Sequence, residues 1–283
     1  MVAAAASFAL MAAFAKKLLP ETPIQAIVLS RALLMTTLFA FLARRRGVSV
    51  RGNRKGLLLA RGLLGYGALS CYFFAVQHLP LGDAVLLQFS HPIFVTLLAP
   101  LLLKEKGSST QWALTLLALA GVAMIVQPTG EFRPGAWVGL LGSLLAGLAY
   151  LAVRDLARTE HPLAILFWFP AASIPPALVA TLMAGQAAIP RDLGEVMGHL
   201  LVAAAALAGQ ITLTLGLARS GAARASTVSL TGPVFGLLLG FLMFDTVPTI
   251  ASALGTALVL ISIGLLGRSR AERAARQASD RKG

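Results

Sequence analysis

The polar residues able to do chemistry in this chain are few, and they sit inside long apolar stretches. In LLQFSHPIF, Gln88 and His91 are three apart, so a helix would place both on one face. Tyr66, Ser70, Tyr72, Phe73 and Gln77 mix rings with polar groups along one segment, and Gln210 and Thr214 are one helical turn apart in another. Rings stack on rings and amides hold a polar end, a combination suited to an amphipathic organic solute. The same rings could instead fill gaps between helices or face lipid, and Trp168 poses the same choice. His91 has two readings: a proton carrier titrating near neutral pH, or a neutral ring that hydrogen-bonds substrate or a neighbouring helix. We take the second. Covalent chemistry lacks its parts, because there is no Ser/His pair at one depth, no HExxH and no acidic dyad. With one cysteine, Cys71, and four scattered histidines, no disulfide, metal site or cofactor is expected.

The elements that must position these residues are membrane spans. The 283 residues are 57% hydrophobic and 12% charged, with a mean hydropathy of +0.81, far too apolar for a soluble domain. Breaks at charge clusters and Pro/Gly turns leave apolar segments near 2–19, 24–43, 56–77, 82–103, 110–127, 135–153, 162–184, 196–218, 225–244 and 249–267. Each suits a helix that crosses a bilayer. Ala13-Phe14-Ala15 has the look of a signal-peptidase site, yet no Lys or Arg precedes the first apolar run and Lys16-Lys17 follow it, so it reads as a membrane helix.

The net charge of +13 lies in short clusters between spans, which indicates topology rather than nucleic acid. With the N-terminus in the cytoplasm, the inside loops and tail carry 18 Lys and Arg; Lys16, Lys17, Arg133 and Arg191 make 4 outside. That asymmetry puts both termini in the cytoplasm. Trp112, Trp137 and Tyr150 near span ends read as interfacial belt residues, and pairs such as Gly135/Gly139, Ser143/Gly147 and Gly236/Gly240 as helix-packing positions. Arg31 and Arg61 are the two cations inside spans. Arg61 is close enough to a span end to snorkel; Arg31 is deeper and suits either a substrate carboxylate or helix-end carbonyls. The eleven acidic residues all fall in loops, at span ends or in the tail, so no midplane carboxylate relay for protons is expected.

Shifted by 141 residues, AVQHLPLGDAVLLQFSHPIF lies on LARSGAARASTVSLTGPVF, with Pro92 on Pro233 and Phe94 on Phe235; Glu105 and Asp245 close the matched spans. Gln88 and His91 then face Ser229 and Gly232, and the four together should line a central cavity. Five spans per half is an odd number, so the halves enter the membrane from opposite sides, as in secondary transporters. Proline removes one helical hydrogen bond, leaving the carbonyls of Gln88 and Ser229 without partners. Matched at one depth, Pro92 and Pro233 read as hinges, with Gly232 beside the second making a bend easy.

The ten-span plan, the duplication and the segments HPIF…LLLKEK and GPVF…FLMFDT resemble the drug/metabolite transporter superfamily, of the bacterial EamA type. The mid-span prolines with an acidic residue at the span end fit that pattern, with Asp245 where the second half usually has Glu, and Arg31 matches an arginine common in the family. Among its members, exporters of amino acids, aromatic ones included, are the most similar. The expectation is an all-α membrane protein of two inverted five-helix repeats, 1–130 and 131–267, with a basic cytoplasmic tail over 268–283. It should be a transporter in the bacterial inner membrane, not an enzyme, working by alternating access on small amphipathic metabolites. The substrate would contact Gln88, His91, Tyr66, Phe73, Gln210, Thr214, Ser229, Trp168 and Arg31. Carriers of drugs or nucleotide-sugar-like solutes, a channel and an intramembrane enzyme are the rival readings.

Overall fold

The computed structural model describes residues 1–18, 22–78, 85, 87–105, 108–126, 134–183, 192–245 and 247–280. These residues are almost wholly helical, with no strand among them. The helices are α1 (Val2–Leu18), α2 (Ile24–Arg45), α3 (Lys55–His78), α4 (His91–Leu103), α5 (Ser109–Val126) and α6 (Pro134–Leu156), followed by α7 (Pro162–Met183), α8 (Leu193–Arg219), α9 (Ala222–Ser229), α10 (Gly232–Phe244) and α11 (Ile250–Asp280). Five stretches are long and apolar enough to cross a bilayer: Ile24–Arg45, Gly135–Leu156, Pro162–Met183, Leu193–Arg219 and Ala222–Phe244. Shorter apolar helices occupy His91–Leu103, Ser109–Ile125 and Ile250–Leu266. Leu101, Leu182, Met183, Leu242 and Ile250 point away from the protein interior, as lipid-facing side chains do.

Helix ends agree with the hydropathy pattern to within a turn, apart from two differences; the expected start of the fourth segment, near 82, lies outside the described residues. The ninth apolar segment is two helices, α9 and α10, separated at Leu230–Thr231; the chain is likewise interrupted at Phe89–Ser90, ahead of α4. Both interruptions fall just before the matched prolines, where the missing N–H cannot hold the ladder. The second difference is at the C-terminus, where α11 continues to Asp280, through most of the segment expected to be a basic tail.

The halves interleave. The dominant pairs are α3 with α6, α5 with α11, α1 with α8 and α2 with α7; α1 also meets α10, and α4 meets α6. Under the expected exchange of the first five spans with the last five, the α3–α6 pair becomes α8–α1 and the α1–α10 pair α6–α4, while α2–α7 and α5–α11 are unchanged. α4 and α10 are each 13 residues long and each ends in a left-handed residue, Lys104 (φ 56) and Asp245 (φ 51). These two positions are 141 apart. The structural register therefore pairs Asp245 with Lys104 rather than with Glu105.

Small residues set the close crossings. A Cβ built on Gly121 would lie 2.6 Å from the Gly255 carbonyl oxygen, so α5 and α11 touch backbone to backbone. On α6, Gly139 accommodates Leu87, Gly142 accommodates Cys71 and Gly147 accommodates Phe94. Gly236, by contrast, has open space where its Cβ would be.

The ends of α4, α6 and α8 meet at a carboxylate. Glu105 Oε1 accepts from Arg154 Nε at 2.7 Å and Arg158 Nη2 at 3.2 Å, while Oε2 accepts from the Ala222 amide at the start of α9 at 2.9 Å. Arg154 Nη1 continues to the carbonyls of Leu217 (3.0 Å) and Ala218 (2.9 Å), which ties in α8. Partial burial disfavours the charged carboxyl. The bonds from Arg154, Ala222 and Arg158 outweigh that penalty and hold it below the usual carboxylate range. At the same end of the bundle Glu160 accepts from the amides of Asn53 and Arg54, and Arg54 pairs with Asp155 at 2.7 Å.

Candidate functional site

The two interrupted spans meet at His91. Pro92 leaves the Gln88 carbonyl without a helical donor, and His91 Nδ1 lies 3.0 Å from that carbonyl oxygen. A carbonyl can only accept, so Nδ1 carries the proton. Nε2 faces the Ser229 hydroxyl at 3.1 Å, and that hydroxyl's one proton is shared with the Ser226 carbonyl 2.5 Å away. Tyr150, from α6, places its ring 4.8 Å from the His91 ring and hydrogen-bonds Ser229. A Cβ on Gly232 would meet the Phe89 ring at 2.7 Å, so glycine there lets the two interruptions close on each other. The four residues expected opposite one another, Gln88, His91, Ser229 and Gly232, do come together. The direct contact is between His91 and Ser229 on a neighbouring helix, while Gly232 packs on Phe89 next to Gln88, and Gln88 Oε1 is left buried without a donor.

A second cluster lies one layer away. Arg61 is only 4% exposed. Its position near a span end allows snorkelling, yet the side chain turns inward: Nη2 donates to Gln210 Oε1 at 3.2 Å, and Cζ lies 4.2 Å from the centre of the Phe169 ring. Arg31, 7% exposed, brings its Cζ to 5.9 Å from the same ring, and Nη1 reaches Met11 Sδ at 3.5 Å, with no helix-end carbonyl among the described residues as partner. Gly65 makes this arrangement fit, since a Cβ there would press on both Phe169 and Arg61 Nη1. Phe169 precedes Pro170, the first of three prolines inside α7. Arg61 lies near Tyr150, which brings the cluster close to the His91 crossing. The resulting polar line draws on α2, α3, α4, α6, α7, α8 and α9, and so on both halves of the chain.

The remaining expected residues are spread around this line. Thr214 is buried one turn beyond Gln210. Tyr66 is half-buried and packs with Val28, Leu29 and Ala177, between α2 and α7. Trp168 donates its indole N–H to the Val50 carbonyl at 2.8 Å, which ties α7 to the loop after α2. The side chains of Phe73 and Gln77 lie outside the described residues. Three residues of the line, Tyr150, Phe169 and Arg61, were not among those expected to contact substrate. Tyr150 had a readable signal, because Ser143, Gly147 and Tyr150 recur at helical spacing on the face of α6 that meets α4. Phe169, in the apolar run LFWFP, had none.

The sequence matches the EamA-like transporter family over residues 1–127 and again over 133–268. The chain belongs to that family. It is thus a multi-pass membrane transporter of the drug/metabolite superfamily and not an enzyme. The pseudopaline exporter CntI of Pseudomonas aeruginosa is 32% identical to it over 272 residues, 95% of each chain. The riboflavin transporter of Rhizobium johnstonii is 27% identical, covering 78% of this chain and 72% of that one. Solute carrier family 35 member G1 of Mus musculus is 25% identical over 76% of this chain and 62% of the mouse protein. A solved crystal structure superposes with a TM-score of 0.79 over 96% of this chain and 98% of the other, at 19% identity, so the fold is shared.

Proposed function

We propose that this EamA-family member exports small amphipathic metabolites, amino acids and aromatic ones among them foremost, by alternating access between two inverted five-span halves, 1–130 and 131–267. The observation that carries this reading is the buried cluster of Arg31, Arg61, Gln210 and Phe169, reached from both halves. Guanidinium groups suit a carboxylate, the ring suits an apolar side chain, and the amide adds a fixed polar contact. The helix pairs that exchange when the halves are swapped, and the matched interruptions at Pro92 and Pro233, support the inverted repeat and its rocking motion. Relatives named for exporting pseudopaline and transporting riboflavin support a metabolite as cargo. The loop charges favour both termini on the cytoplasmic side of a bacterial inner membrane.

In this scheme Gln88, His91, Ser229, Gln210, Thr214, Tyr66, Phe73, Trp168 and Arg31 are the substrate-side residues, and Gly232 with the two prolines forms the hinges. Counterflow of labelled phenylalanine, other amino acids, drugs and nucleotide sugars into liposomes holding the purified protein tests it. Saturable uptake of phenylalanine is the expected result; uptake confined to another class overturns the amino acid assignment. An ohmic current in place of saturable flux would show a channel.

A further inference from the structure

Two positive charges lie inside this bundle with no carboxylate beside them among the described residues. The ion pairs among the described residues join Arg54 to Asp155 and both Arg154 and Arg158 to Glu105, at the end of the bundle. Neither Arg31 nor Arg61 takes part. Arg61 has five N–H donors, of which Nη2 serves Gln210, while Nε and Nη1 are buried with no acceptor. Arg31 Nη1 reaches only the thioether sulfur of Met11 among the described residues, a weak acceptor. Buried cations in a membrane protein are stable only when paired or when they border a wet pathway. Both of these approach the same Phe169 ring.

We infer that Arg31 and Arg61 form a receptor for a substrate of net negative charge, one that carries two carboxylate groups on an apolar or aromatic body. The inference rests on the transporter reading and narrows its amphipathic cargo to dianions, away from zwitterionic amino acids. A zwitterionic amino acid would leave the two guanidinium charges only half matched and would bring its ammonium group into a cationic chamber. A dicarboxylate cancels both charges and fills the open donors of Arg61, with its apolar body against Phe169. The electrical gradient fits as well. With the cytoplasm negative, the membrane potential favours each anionic charge that moves outward. A dianion can therefore leave without a proton relay, and the acidic residues of this chain supply none at mid-membrane.

The test uses the full-length purified protein and three probes: phenylsuccinate as the dianion, phenylsuccinamide as its neutral isostere, and phenylalanine. Ligand-dependent thermal stabilisation in detergent reads binding, and counterflow in liposomes reads transport. Phenylsuccinate should stabilise the protein where phenylsuccinamide does not. Its Kd should rise about tenfold or more in Arg31→Gln and in Arg61→Gln, the loss expected for a charge-assisted bond, with most of the affinity kept in Arg61→Lys. Outward transport of phenylsuccinate should accelerate when a potassium diffusion potential makes the inside negative. Equal stabilisation by the diamide, absence of phenylsuccinate binding, or unchanged affinity in both Gln variants overturns the inference. If a variant does not fold, the comparison of dianion with diamide on the unaltered protein decides alone. Phenylalanine flux without phenylsuccinate binding overturns the inference and leaves the proposed function standing; the reverse outcome supports the inference and overturns the amino acid assignment.

Discussion

Glu105→Gln isolates the joint at the ends of α4, α6 and α8. The carboxylate accepts three hydrogen bonds, two of them from arginines, at 2.7, 3.2 and 2.9 Å, with its side chain 20% exposed. Charge-assisted bonds contribute about 1.5–3 kcal/mol each when buried, and exposed ion pairs about 0–1. A half-buried joint falls between these, at about 1 kcal/mol per contact. The glutamine carbonyl retains one acceptor, and its amide group opposes a guanidinium, so the substitution should remove about 2 kcal/mol of stability at pH 7. For a chain of this size that is a fall in Tm of about 4–8 °C. The folded protein holds the Glu105 carboxyl below its unfolded value of about 4.3. Its contribution is therefore complete above that value and disappears as pH falls through the depressed folded value. Thermal unfolding of the wild type and Glu105→Gln in detergent between pH 7 and pH 3 should show two curves that are apart at neutral pH and converge in acid. A gap that stays constant with pH, or no gap at pH 7, would refute the reasoning.

Three further outcomes are expected. Gly255→Val should lower the Tm sharply and Gly255→Ala by the equivalent of about 1–3 kcal/mol, because a Cβ there meets the Ile125 amide and Met124 Cβ at 2.9 Å; Gly264→Ala, which faces open space, should leave thermal unfolding unchanged. Pro92→Ala and Pro233→Ala restore an N–H at each interruption, so initial-rate assays should show slower turnover with substrate affinity largely kept, and full-speed transport by the double variant would remove the hinge role. A reporter enzyme active only in the periplasm should be silent when fused after Gly283, and activity there would reverse the assigned orientation.

Much of this protein is legible from its residues in order. Apolar stretches punctuated by charge must become helices in a bilayer, because an open backbone is too costly in hydrocarbon. That single constraint places nearly every helix end. The prolines predict where the fourth and ninth spans are interrupted, since the loss of an N–H is a local property. The matched segments 141 apart predict that Gln88 and His91 approach Ser229 and Gly232, because a repeat carries its geometry with it.

What the order of residues leaves open is set by how helices distant in the chain turn their faces to one another. Arg61 could reach a span end or turn inward; Gln210 and Phe169, 149 and 108 positions further on, decide that it turns inward. Tyr150 sits near a span end, as belt tyrosines do, and only the packing of α6 on α4 directs it to His91. Gly236 belongs to a small-residue pair indistinguishable in sequence from those on α6, yet its Cβ direction faces open space among the described residues. Hydropathy and covalent chemistry act locally and so are written into the chain. The pairing of buried charges and rings depends on rotations and crossings of whole helices, and those exist only once the bundle has assembled.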